Sequence, residues 1–157
     1  MRIGLGFDAH RLVEGRKLII GGVEIGYHLG LDGHSDADVL AHAVSDAILG
    51  ALRAGDIGKL FPSDDPAYEG ANSIELLREV GELAAGKGYR VADIDSVISA
   101  EAPRLSKYRD QMRANIANAL GIGIDSVGIK ATTTEGMGYE GRGEGISAQA
   151  VVLLEEA

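Results

Sequence analysis

The sequence predicts an α+β fold: a single layer of mixed β-sheet with helices packed on one face. Three observations carry this. Arg2–His10 and Ile146–Leu154, near the two ends of the chain, alternate residue by residue, the period of a half-buried strand. Three stretches between them place apolar residues at helical spacing, and helices with one apolar stripe must bury it against a sheet or each other. In the last strand Val151 and Leu153 point away from the alternating core face, so the second sheet face also needs cover, which oligomerisation supplies most simply.

In chain order, the first strand puts Ile3, Leu5, Phe7 and Ala9 on one face and Gly4, Gly6, Asp8 and His10 on the other. Lys17–Ile20 and Val23–Ile25 flank Gly21-Gly22, a two-residue hairpin signal. Asp36–Leu52 reads as a helix with Leu40, Ala43, Val44, Ala47 and Ala51 on one stripe, capped by Ser35 or Asp36 and stopped by Gly55. Gly55–Gly70 holds two of the three prolines and a cluster of acids, and reads as a loop. Asn72 caps the next helix, with Glu75 placed for a capping box and Leu76, Leu77, Val80, Leu83 and Ala84 on its buried side. Val91–Ala100 is a strand. Met112, Ile116, Ala119 and Leu120 mark a third helix ending at Gly121. Val127–Ala131 is a strand, and a glycine-rich loop, Gly136–Gly145, leads into the last one.

The 157 residues fit one domain, 1–157, of a size that buries roughly 70% of its unfolded surface. With no cysteine, a disulfide framework or thiolate zinc site is excluded, and any metal must take nitrogen and oxygen ligands. A net charge of −9 argues against nucleic-acid backbones and anionic membranes. No apolar run approaches the roughly 20 residues that span a bilayer, and the first residues show no signal-peptide pattern, so a cytoplasmic location is expected.

Asp8 and His10 project from one strand face, where Gly4 and Gly6 leave room for an approaching group. His42 falls opposite the apolar stripe of its helix, with Asp38, Ser45 and Asp46 as helical neighbours, so a carboxylate could orient its second ring nitrogen. Two histidines and a carboxylate suffice for a catalytic zinc with one open position. An exposed histidine beside acids is the plain alternative. His34 and Ser35 stand at a helix start, where free N–H groups suit phosphate. In Lys130–Gly136, Thr132, Thr133 and Thr134 offer hydroxyls to an anion and Glu135 a hard oxygen for magnesium. Arg142, between glycines, suits phosphate recognition.

These segments together resemble the 2-C-methyl-D-erythritol 2,4-cyclodiphosphate synthases of the non-mevalonate isoprenoid pathway. The resemblance runs through Gly4–His10, Gly21–Val23, His34–Asp38, Gly55–Pro62, Lys130–Glu135 and Gly141–Ile146. It implies a lyase-type cyclisation: the 2-phosphate of 4-diphosphocytidyl-2-C-methyl-D-erythritol 2-phosphate attacks the β-phosphate, giving the cyclodiphosphate and CMP. It implies a homotrimer whose subunit sheets pack around a threefold axis, with active sites between neighbours. One zinc per subunit would be held by Asp8, His10 and His42, and a magnesium or manganese ion by Glu135. His34 and Thr133 would stabilise the transition state. Substrate would touch Asp8, His10, His34 and Ser35, then Asp56, Ile57 and Gly58, and a covering loop of Phe61, Pro62, Ser63, Asp64 and Asp65. The cytidine end would meet Ala100, Pro103, Arg104, Leu105, Ser106 and Thr132, and Thr133, Thr134 and Glu135 would also touch substrate. Tyr139 and Arg142 would lie by an axial cavity able to take an isoprenoid diphosphate. Arg104 stands where the family often has lysine, and Tyr139 where phenylalanine is frequent.

Two other functions compete on the residues alone. A zinc phosphohydrolase could use the same triad to activate water, and a metabolite-binding module could keep the histidines as structural groups.

Overall fold

A computed structural model describes residues 1–157. Its elements are β1 (Arg2–Val13), β2 (Leu18–Ile20), β3 (Val23–Ile25), β4 (Gly30–Leu31), α1 (Val39–Leu52), α2 (Ile57–Leu60), α3 (Ser73–Gly86), β5 (Tyr89–Ser99), α4 (Arg109–Leu120), β6 (Val127–Thr132), α5 (Gly138–Gly141) and β7 (Gly145–Glu156), with short 3₁₀ turns at Pro66–Tyr68, Ser106–Tyr108 and Ile124–Ser126. The main sheet runs β4-β1-β7-β5-β6, antiparallel except for the parallel pair β5–β6, and β2–β3 form a separate hairpin. The mixed sheet with helices on one face is the expected fold. β1 continues three residues beyond the expected His10 because Leu12 and Val13 find partners in β4.

The core lies between sheet and helices. Ile146, Ala148, Ala150, Val152 and Leu154 of β7 point inward with Ile94 and Ile98 of β5, and α1 lies across β1 and β7. The glycines of β1 explain how close α1 comes. A β-carbon at Gly4 would stand 1.8 Å from the Ala47 carbonyl oxygen, and one at Gly6 would stand 1.9 Å from that of Ala43. The room left by Gly4 and Gly6 is therefore filled by the helix backbone, not by a ligand.

α1 departs from its expected form at two points. It begins at Val39 rather than Asp36, because Ala37 takes a left-handed backbone (φ 57°) that breaks the helical path. Asp38 is the cap, with Oδ1 accepting the Ala41 N–H at 3.0 Å. The same carboxylate accepts the N–H groups of Gly21 and Gly22 at 2.8 and 2.7 Å, tying the hairpin turn to the helix start. Burial pushes the Asp38 carboxyl up, and the nearby Asp36 charge pushes it further, against three backbone donors that favour its charged form. The second departure is burial on nearly every side. All residues of α1 but Asp46 and Gly50 are buried, because α3 covers the side opposite the sheet.

The Gly55–Gly70 segment also has more order than a loop. Asp56 caps α2 through the Lys59 N–H, and Asp65 caps the Pro66–Tyr68 turn through the Ala67 N–H. Asn72 caps α3 as expected, but Glu75 pairs with Arg78 instead of closing a capping box.

The outer sheet face is apolar and open. Ile3, Leu5 and Phe7 are 65%, 69% and 53% exposed, and register places Leu5 beside Val151 and Ile3 beside Leu153.

Candidate active site

β1 and α1 bring Asp8, His10 and His42 together, with one ligand atom from each within 4.8 Å of the others. His10 Nε2 and His42 Nδ1 lie 2.8 and 3.0 Å from Asp8 Oδ2, and 3.3 Å from each other. Donor atoms about 2.0–2.1 Å from a tetrahedral zinc stand about 3.3–3.4 Å apart, so a small expansion around a shared cation fits this set. The outer ring nitrogens are also held. His10 Nδ1 meets the Asp32 carbonyl at 2.8 Å, which leaves Nε2 free to face the cluster. His42 Nε2 meets Ser73 Oγ at 2.8 Å and Ser35 Oγ at 3.3 Å. The partner of His42 is thus a buried serine from α3, not Asp38 or Asp46, and His42 itself is 8% exposed. Asp46 accepts the Ile57 N–H at 2.8 Å and so anchors α2 to α1.

The charges support a cation centre. Burial disfavours ionised Asp8, but hydrogen bonds and charge attraction from His10 and His42 outweigh it and hold the carboxyl below its usual range. Burial likewise disfavours protonated His10, yet Asp8 and the Asp32 carbonyl raise its pKa. A proton on His10 Nε2 thus occupies the place where a metal would be shared.

One pocket joins this cluster to His34, Ser35, Ile57, Gly58, Phe61 and Ser63, all expected from the sequence, together with Ser45, Tyr68 and Leu76, which were not. Tyr68 edges onto Phe61 with ring centres 5.2 Å apart. Asp56, Pro62, Asp64 and Asp65 belong to the same segment but do not line the pocket. His34 Nε2 lies 2.8 Å from the Asp65 carbonyl, so the segment is fastened to the start of α1 through a ring expected to meet phosphate. Ser35 Oγ accepts the Ala37 N–H at 3.1 Å and supports the strained turn there.

A second pocket gathers Ala100, Pro103, Arg104, Leu105, Ser106, Thr132 and Thr133, and adds Glu101 and Arg109. Thr134 and Glu135 follow at the end of β6, and Glu135 is exposed and outside the three-residue cluster. Lys130 is drawn away to Asp95 at 2.5 Å. Tyr139 lines a third, shallow recess with Ala9, His10 and Glu144, beside which Arg142 pairs with Glu144 at 2.9 Å. One chain therefore holds the triad pocket and the second pocket as separate places, while the Tyr139 recess shares His10 with the first. Nothing in the sequence marks Ser73, which lies 31 residues from His42.

A sequence profile described as the YgbB family matches residues 1–155. The 2-C-methyl-D-erythritol 2,4-cyclodiphosphate synthase of Geotalea uraniireducens (strain Rf4) is 61% identical, over 99% of each chain. Among solved structures, the bifunctional IspDF from Campylobacter jejuni matches 99% of this chain and 42% of its own, with a TM-score of 0.96 and 41% identity. A CDP-bound 2C-methyl-D-erythritol-2,4-cyclodiphosphate synthase matches at a TM-score of 0.90 and 36% identity, over 98% of this chain and 100% of that one.

Proposed function

The chain belongs to the YgbB family, and we propose that it catalyses the cyclisation its relatives are named for, releasing CMP from a cytidine diphosphate substrate. The observation that carries this reading is the convergence of Asp8, His10 and His42 at one end of a pocket whose other walls are His34, Ser35, Ile57, Gly58 and Phe61. We take residues 1–157 as one such domain and the protein as a cytoplasmic homotrimer. No helix is long and apolar enough to cross a membrane.

The reaction asks mainly for positioning. A phosphate monoester has a second pKa of about 6, so the attacking 2-phosphate is already largely a dianion at neutral pH and needs no general base. A zinc ion held by Asp8, His10 and His42, with a magnesium or manganese ion held by Glu135, would screen the mutual repulsion of the phosphates. The side chains do the rest. Ser35 and His34 present donors to phosphate from the loop before α1. Asp56, Ile57 and Gly58 hold the methylerythritol hydroxyls, and Phe61, Pro62, Ser63, Asp64 and Asp65 exclude water. Ala100 to Ser106 and Thr132 receive the cytidine end, while Thr133 and His34 stabilise the transition state. Within one chain the two pockets are separate, and a trimer that seats the second pocket of one subunit against the triad of its neighbour would join them. Tyr139 and Arg142 would then lie near the threefold axis, by a cavity suited to an isoprenoid diphosphate.

A zinc phosphohydrolase with the same triad would differ in what attacks the β-phosphate. In oxygen-18 water the proposed reaction yields CMP and a cyclic diphosphate without label. Label in either phosphate product would establish hydrolysis instead.

A further inference from the structure

His42 meets the cluster with Nδ1 and turns Nε2 into the first turn of α3. There Nε2 lies 2.8 Å from Ser73 Oγ, and Ser73 is only 1% exposed. Behind Ser73 stands Asp36, which accepts its hydroxyl on Oδ1 at 2.5 Å and its backbone N–H on Oδ2 at 3.0 Å. The Asp38 N–H also reaches Asp36 Oδ1, at 3.1 Å. A hydroxyl has one hydrogen, and an ionised carboxylate only accepts, so the Ser73 hydrogen is committed to Asp36. The other nearby oxygen, Ser35 Oγ, is 3.5 Å from Ser73 Oγ and competes poorly. Ser73 Oγ can then meet His42 only as an acceptor, which puts the ring hydrogen on Nε2. With Nε2 engaged there, Nδ1 is the ring atom turned to the cluster, 3.0 Å from Asp8 Oδ2 and 3.3 Å from His10 Nε2, and the one that would meet a cation.

We propose that Ser73 and Asp36 are positioning residues of the metal site, a relay that accepts the His42 Nε2–H, holds Nδ1 toward the cluster and so sets how tightly the cluster holds a divalent cation. The inference rests on the metal reading under Proposed function. It joins the loop before α1 and α1 itself to the first turn of α3, 31 residues beyond His42 and 37 beyond Asp36. It also gives Ser73 a task that helix capping does not, since Asn72 already caps α3.

Removing the hydroxyl takes the nearest acceptor from the His42 Nε2–H and leaves the ring free to turn. Partners of this kind are worth about 10–100-fold in metal affinity. Zinc competition against a chelator should therefore show Ser73→Ala weaker by about that factor, at an unloaded melting temperature close to that of the parent. Asp36→Asn is nearly isosteric, yet either orientation of the amide turns its NH₂ toward a backbone N–H, of Asp38 or of Ser73. It should weaken zinc in the same direction. A second readout needs no variant. The zinc-loaded parent should show a slowly exchanging His42 Nε2–H in its proton spectrum, and Ser73→Ala should lose that protection. An unprotected His42 Nε2–H in the zinc-loaded parent overturns the proposal, as does a folded Ser73→Ala that binds zinc within about threefold of it. Should Ser73→Ala not fold, Asp36→Asn and the parent spectrum decide. Failure of the parent to take up zinc would sink the metal reading itself, a result separate from the relay.

Discussion

The two faces of β1 do different work with residues that alternate along one strand. The inner face begins with Gly4 and Gly6, pressed against the backbone of α1, and ends with Asp8 and His10, which meet His42. Every contact that builds this cluster comes from the same chain. The outer face carries Ile3, Leu5 and Phe7, all more than half exposed, with Val151 alongside. The three candidate ligands all come from one chain, whereas the apolar outer sheet face would be covered only in the proposed trimer. Chemistry and assembly are thus separated by the strand's own period of two, so a change on one face should be felt differently from a change one residue away.

The largest effect is expected on the inner face. Gly6→Val would drive a side chain into the Ala43 carbonyl, and because backbone cannot swing aside, the overpacking should cost at least about 3 kcal/mol. For a chain of this size that lowers the melting temperature by roughly 6–12 °C, measurable by calorimetry. A variant that melts like the parent would mean that α1 is not seated where the structure puts it.

One residue away, Leu5→Asp should leave the folded subunit within about 0.5 kcal/mol, since the side chain is open to solvent in the single chain. In a trimer it sets three carboxylates on an apolar interface. Sedimentation should give a monomer with parental circular dichroism, intact zinc binding and no turnover. An active trimeric Leu5→Asp protein would remove the role assigned to the outer face.

The smallest expected effect sharpens the inner face. With its pKa raised, His10 binds a proton better in the folded chain than in the unfolded one, so the unloaded protein gains stability below the ordinary histidine range. That gain is lost as pH rises through the raised value. Zinc must displace the same proton, so its affinity should fall about tenfold per pH unit below that value and level off above it. Flat affinity between pH 5.5 and 8 would show that His10 is not a ligand.

Much of this was legible in the sequence, and the gaps have physical causes. Alternation located β1 and β7, Gly21-Gly22 marked the hairpin, and Asp8, His10 and His42 were grouped before their distances were known. These are local signals, or pairs that one strand and one helix can bring together. The alanine-rich α1 hid its burial on both sides, because alanine reads as neutral on a helical wheel although it packs closely between sheet and α3. The Asp38 cap was hidden by the left-handed Ala37, a conformation that alanine does not announce. Acids and prolines masked α2, whose cap at Asp56 is one of those same acids. Ser73 and Asp36 were out of reach because their importance depends on contacts 31 and 37 residues apart.

The Asp38 clamp has a practical bearing on where this chain can be modified. The Gly21-Gly22 turn looks like a harmless place for a tag or a fluorophore, yet its two amide groups complete the carboxylate that starts α1, four residues before His42. An insertion there would loosen the helix that carries a metal ligand, although the turn touches no part of the pocket. Gly26, exposed at the end of the same hairpin, has an ordinary backbone and an added side-chain carbon there meets nothing within 4 Å. A label intended to report on the site without disturbing it belongs at Gly26.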